Sequence, residues 1–157
     1  MSETPAGRIL GLDAGERRIG VAISDPGRSF ALPLESIVAD GRELEHLAEL
    51  VAREGVTDLV VGLPLSLSGE ASAQTERARE FATKVEERLA LPVHMWDERL
   101  SSHEAERLTS PGRDERRRGE PRRGGRGGRQ GGEPDTDALA ASIILQAYLD
   151  SLRFEHI

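Results

Sequence analysis

Apolar and polar positions along the chain group into short blocks whose period changes from two to about 3.6. Residues 8–13 (RILGLD) read as a short buried strand that ends in Asp13. Asp13-Ala14-Gly15-Glu16 reads as a turn, and 17–24 (RRIGVAIS) as a second strand, paired with the first as a hairpin. Asp25-Pro26-Gly27 signals another turn, followed by a third strand over 31–38 that carries Pro33. Helical spacing then takes over: Leu44, Leu47, Ala48 and Val51 share a face, and Gly55 supplies the stop. A compact apolar strand follows at 58–62 (DLVVG). A loop with Pro64 and Gly69 leads to a long helix whose buried stripe is Ala78, Phe81, Ala82, Val85 and Leu89. Pro92 ends that helix, and 93–98 (VHMWDE) reads as the fifth strand. Ser101-Ser102-His103-Glu104 resembles a capping box that opens a third helix, closed by Pro111-Gly112. Asp135 or Thr136 caps a last helix that runs to about Arg153.

A meander followed by alternating helices and strands predicts an α/β domain, with one mixed five-stranded sheet flanked by helices. The whole of 1–157 reads as a single domain, large enough for a real core. Residues 112–134 are almost purely Gly, Arg and acids, so a disordered loop is expected there.

Composition narrows the compartment. No apolar run approaches the length of a membrane span, and MSETPAGR lacks the basic and apolar regions of a signal peptide. The absence of cysteine excludes disulfides and thiolate metal sites. A cytoplasmic protein with no membrane partner is expected. The formal net charge is -7, which argues against a general nucleic-acid coat. Its distribution alters that reading. Residues 113–132 hold eight Arg against three acids, a local +5, so the remainder carries -12. An acidic body can hold a carboxylate site while a basic segment contacts phosphates.

Three acids stand where a site would form. Asp13 and Glu98 each end an apolar strand, and ligand sites of α/β sheets lie beyond the carboxyl ends of the strands. Asp137 is the one charge on the helix face shared by Ala141, Ile144, Tyr148 and Leu152. Converging carboxylates repel unless a cation joins them. Hard oxygen donors favour Mg²⁺ or Mn²⁺, and two such ions suit phosphodiester hydrolysis. In that scheme Asp13 would bridge the metals, with Glu98 and Asp137 completing one side each. Taken singly, each residue has a plainer reading. Asp13 would be a turn former, Glu98 a partner of Arg99 or another surface Arg, and Asp137 a favourable charge at a helix N-terminus.

Four segments together resemble the YqgF family, also called RuvX. They are LGLDAGERRIGVAISDP (10–26), LVVGLPLSLSGE (59–70), WDERLSSHEA (96–105) and DTDALAASIILQAYLD (135–150). Members are named as pre-16S rRNA nucleases or as Holliday junction resolvases. The resemblance implies an RNase H-like fold and a metal-dependent nuclease that processes the 5′ end of precursor 16S rRNA in ribosome biogenesis. It places the family's acidic motif residues on Asp13, Glu98 and Asp137. Asp97 is also a motif residue; strand alternation turns it away from Glu98, in a supporting role. Arg18 and Arg99 belong to the motifs too and could bind phosphate or neutralise the carboxylates, with the second reading favoured. The family often carries a Lys shortly before the last Asp. Here the chain reads Gly132-Glu133-Pro134-Asp135, so Arg126 or Arg129 would have to make that phosphate contact. Glu133 and Asp135 are extra acids at the helix start, read as solvated surface.

The run 122–132 (RRGGRGGRQGG) suits RNA binding through phosphate contacts and stacking; compositional bias toward Arg explains it equally well. Ser66 and Ser68 could touch phosphate in a groove-lining loop that Pro64 and Gly69 already explain as a turn. His103 could shuttle protons but reads better as an exposed helix residue, and His46, His94 and His156 show no pairing that suggests a site. The expected partner is structured RNA, with branched DNA second, bound by a monomer or a homodimer. The competing classes are a non-catalytic nucleic-acid-binding module and an actin-like ATPase or sugar kinase. The latter needs two lobes, and no phosphate-binding loop of the G-x-x-x-x-G-K-[ST] kind is present.

Overall fold

The computed structural model describes residues 7–101 and 135–155. Five strands are present: β1 (Arg8–Ala14), β2 (Arg18–Ser24), β3 (Ala31–Val38), β4 (Val56–Leu63) and β5 (Val93–Asp97). Among the described residues three full helices accompany them: α1 (Glu43–Glu54), α2 (Ala73–Leu89) and α3 (Thr136–Glu155). They form one sheet of order β3-β2-β1-β4-β5. β1, β2 and β3 are antiparallel neighbours, and β4 and β5 run parallel to β1. The mixed five-stranded sheet is therefore as expected from the sequence. Among the described residues no helix is long and apolar enough to cross a membrane.

Pro33 is accommodated in two ways. It lies on the sheet's edge strand, and the β2–β3 register shifts between Val21 and Ala22, so Ala22 faces Pro33 across a bulge. The α1 stop is Gly55, held at φ 69°, with its N–H bonded to the Val51 carbonyl. α2 opens on a reciprocal cap that hydrophobic spacing does not reveal. The Ser72 hydroxyl accepts the Thr75 N–H, and the Thr75 hydroxyl answers the Ser72 N–H at 2.9 Å.

Strand alternation divides the core into two layers. Leu10, Leu12, Ile19, Val21, Leu59 and Val61 pack beneath α1 and α2 with Leu47, Leu50 and Val85. The other face carries Ile9, Ala22 and Val60 against Ala141, Ile144, Leu145 and Leu149 of α3. That second face is lined by small residues, and they set how closely α3 approaches. A Cβ on Gly11 would lie 2.8 Å from the Leu145 Cβ, and one on Gly20 would run into the carbonyl of Asp137. The helix thus lies almost on the backbone of β1 and β2, which permits dense packing without large side chains.

The strand expected over 93–98 stops at Asp97, leaving Glu98 in the turn that succeeds it. The capping box expected at Ser101 is not where that helical segment opens. Residues 99–101 are already helical, and just ahead of them Asp97 accepts the Arg99 N–H at 2.9 Å. The Ser101 hydroxyl instead accepts the indole N–H of Trp96 at 3.0 Å. The rest of that expected helix, His103, and the loop 112–134 with Arg126 and Arg129 lie outside the described residues, as do Glu133 and His156.

Candidate functional site

Asp13 stands third in the β1 series Ile9, Gly11, Asp13, which faces α3. Directly across the β1–β2 pair it meets Gly20, the residue on which the first turn of α3 rests. Asp137 occupies that first turn. Glu98 reaches the same face by another route. Its N–H bonds the Leu63 carbonyl at 3.0 Å, and its side chain folds over β4. A Cβ on Gly62 would lie 2.5 Å from Glu98 Oε2 and 2.7 Å from Ile144 Cδ1. Two glycines therefore clear the floor for two of the acids. Gly20 admits the helix end that bears Asp137, and Gly62 admits the Glu98 carboxylate.

Electrostatics link the three. Burial raises the Asp13 carboxyl above its ordinary range, and the nearby charge of Asp137 adds to the rise. Burial likewise lifts Glu98 to about 7, with the charges of Asp13 and then Asp97 contributing. Among the described residues, neither Asp13 nor Glu98 has an ion-pair partner. Asp137 is held from outside the cluster: Arg18 Nη1 lies 3.7 Å from its carboxylate, and the Ser36 hydroxyl 3.4 Å. Asp135 caps α3, accepting the N–H groups of Asp137 at 3.0 Å and Ala138 at 3.3 Å. Its carboxylate also takes the Ser36 hydroxyl at 2.6 Å, and these bonds hold it below the usual carboxylate range. Ser36 and Asp135 are thus the site's outer support. The sequence showed Asp135 as a cap candidate; nothing in it placed Ser36 of β3 beside the last helix.

Arg99 forks Asp97, with Nε 3.0 Å from Oδ1 and Nη2 2.6 Å from Oδ2. The guanidinium is the main reason the Asp97 carboxyl is depressed. Two histidines turn out to be paired elsewhere. His46 lies 3.1 Å from Glu35, between α1 and β3. His94 lies 3.4 Å from Asp58 near the opposite ends of the parallel strands and stacks on Tyr148 at 5.5 Å.

The donor set suits Mg²⁺ or Mn²⁺. All the candidate ligands are hard carboxylate oxygens, and Asp13 and Glu98 are half-buried acids whose mutual repulsion no cation of the described residues relieves. Among the described residues, no three His, Asp or Glu side chains are already gathered closely enough to hold an ion.

The repulsion has a measurable consequence. A carboxyl raised in the folded state adds stability that is full below its ordinary pKa of 4.5 and is lost as pH rises through about 7. Glu98→Gln removes that penalty. In EDTA the variant should match the wild type at about pH 4 and exceed it at about pH 8 by about 1 kcal/mol, a figure reduced for solvent screening. Thermal melting at the two pH values measures the gap. A gap that is constant with pH would show that Glu98 carries no such strain.

A mixed five-stranded sheet of order β3-β2-β1-β4-β5, with α3 laid across the face that carries Asp13, has the RNase H-like fold. Residues 7–151 match the family described as RuvX: Holliday junction resolvase, and the chain belongs to that family. A protein of Koribacter versatilis (strain Ellin345) named "Putative pre-16S rRNA nuclease" is 43% identical over 147 residues, covering 92% of this chain and 87% of that protein. One of Roseiflexus sp. (strain RS-1) with the same name is 41% identical over 155 residues, covering 98% and 100%. Among solved structures, T. thermophilus RuvC in complex with a Holliday junction substrate aligns with a TM-score of 0.59 at 15% identity, covering 94% of this chain and 96% of that one. At that identity the likeness concerns the fold.

Proposed function

We propose that this protein is a metal-dependent nuclease that hydrolyses a phosphodiester bond of structured RNA, at the 5′ end of precursor 16S rRNA in ribosome biogenesis. The observation that carries the reading is the placement of Asp13 and Glu98 on one face of the sheet, beneath the end of α3 that presents Asp137. The names of the relatives in Koribacter and Roseiflexus support the substrate.

In this reading Asp13, Glu98 and Asp137 hold Mg²⁺ or Mn²⁺. The chemistry that such ions supply is activation of the attacking water and neutralisation of charge on the leaving oxygen. The remaining work falls to the chain itself. Gly20 and Gly62 let the acids approach, and Ser36, Asp135 and Arg18 steady Asp137. Of the two motif arginines, Arg18 is the more exposed and retains donors for a substrate phosphate. Arg99 is committed to Asp97 and acts on the site's architecture. Arg126 and Arg129 are proposed phosphate contacts from the basic segment.

Branched DNA is the second substrate class, because the family description names the Holliday junction. A resolvase must cut two strands and works naturally as a symmetric dimer, whereas RNA processing asks only for a monomer. The test is a cleavage comparison of a labelled precursor 16S 5′ end and a four-way DNA junction, each with Mg²⁺ and with EDTA. The RNA should be cut only with metal, and the junction should survive. Cleavage of the junction alone would overturn the substrate; cleavage of neither would leave a nucleic-acid-binding module.

A further inference from the structure

The segment after β4 is a built turn rather than a slack connection. The Ser66 N–H bonds the Glu70 carbonyl at 3.2 Å, and the Gly69 N–H bonds the Ser66 carbonyl at 2.8 Å. The Ser66 hydroxyl accepts the Glu70 N–H at 3.1 Å and lies 2.9 Å from the Ser68 hydroxyl. Gly69 takes the positive φ of 90° that closes the turn. Both hydroxyls, which the sequence suggested for phosphate, take part in the bonding of the turn. At its far end the Thr75 hydroxyl donates to the Pro64 carbonyl, tying the segment to α2. The residue that this turn presents is Leu67, 92% exposed.

Single exposed leucines are common on protein surfaces. Two facts set this one apart. The turn that carries it is internally bonded, so the exposure is a held conformation. The turn is also tied to the carboxylate site: Arg99 Nη1 donates to the Leu67 carbonyl at 3.3 Å while the same guanidinium forks Asp97, the neighbour of Glu98. Leu100 and Leu139, each two residues beyond a candidate ligand, are exposed as well. Arg99 therefore ties the turn to the segment that carries Glu98, beside any nucleic acid the acids would address. An apolar side chain has nothing to offer a phosphate; the apolar surface in a nucleic acid is the face of a base.

We propose that Leu67 is a specificity-determining contact that takes an unstacked nucleobase beside the phosphate addressed by the carboxylates. The proposal rests on the nuclease reading and adds what the site demands of its substrate, namely a base free to leave its stack. Fully paired, rigid nucleic acid is then a poor substrate. Arg99 acts as a positioning residue, coupling the turn to the acid pair.

The probe is a hairpin RNA with an unpaired 5′ extension, carrying 2-aminopurine at one position at a time. Binding is read in the full chain with Asp13→Asn, so that the RNA stays whole. One position should brighten on binding, and Leu67→Ser added to that chain should abolish the rise. In the cleaving enzyme Leu67→Ser should raise KM about tenfold, the scale set by losing a buried leucine contact. Leu67→Met, which keeps the apolar tip, should restore both. A rise that persists in Leu67→Ser, with KM unchanged, overturns the assignment. If the wild type cuts no RNA, the nuclease reading falls, and the fluorescence still decides whether Leu67 meets a base.

Discussion

Asp13→Asn should lose about a thousandfold or more in cleavage rate while melting at a higher temperature than the wild type in EDTA. The two halves of this result come from one cause. Asp13 is half-buried, and both its burial and the charge of Asp137 push its carboxyl upward. In the metal-free protein the charge costs stability, and asparagine keeps the shape while removing it. With a metal present the same charge becomes the attraction that holds the ion. A thousandfold rate loss corresponds to about 4 kcal/mol of transition-state stabilisation, reasonable for a charged ligand at the reacting centre. Single-turnover cleavage and calorimetric melting measure the two effects. Full activity in the variant would remove Asp13 from the site. A lower melting temperature would make it a structural residue whose loss impairs activity through the fold.

The second large effect is expected from a residue with no side chain. Gly20→Ala puts a methyl group into the carbonyl of Asp137. That atom is helix backbone and cannot swing aside, so the end of α3 must lift from β2. Overpacking of this kind costs about 1–3 kcal/mol. The functional loss should be larger than the stability loss implies. Asp137 sits in the turn that moves, its Ser36 contact comes from a strand that does not, and a misplacement of about 1 Å can cost roughly a hundredfold in rate. The expected outcome is a folded protein, destabilised in denaturant titration, with cleavage reduced by about that factor. Cleavage at the wild-type rate in a protein destabilised as expected would separate the position of α3 from the chemistry.

The secondary structure was largely legible because each element announces itself locally. β1 and β4 are apolar runs flanked by turn residues, α1 ends at a glycine, and Pro33 is tolerated at a bulge on the edge strand β3. The errors lie at boundaries. Glu98 reads as the last residue of a strand because an apolar run precedes it. Its N–H is instead taken by the Leu63 carbonyl as the chain turns, and the helical segment begins at Arg99, whose N–H Asp97 accepts, rather than at Ser101. Capping depends on which side chain reaches which N–H, and several residues in DERLSS had the right chemistry.

The two serines of the 66–70 turn show the same limit. Both read as polar groups available to a ligand, and both also bond within the turn itself. The exposure of Leu67 is a consequence of that use, and no pattern of polarity along the chain could show it.

What the sequence determined by itself is the set of elements and the identity of the three candidate acids. Periodicity and strand-end position depend on neighbours a few residues away, and the family match rests on motifs that are read in order. Only the tertiary structure decided how the elements that carry those acids approach one another. The approach of α3 depends on the absence of side chains at Gly11 and Gly20, and the seat of Glu98 on the absence of one at Gly62. The support of Asp137 comes from Ser36, 101 positions away. A missing Cβ is the same letter wherever it occurs. It acquires meaning only when packing brings another chain segment within contact of it, and that is a property of the folded molecule.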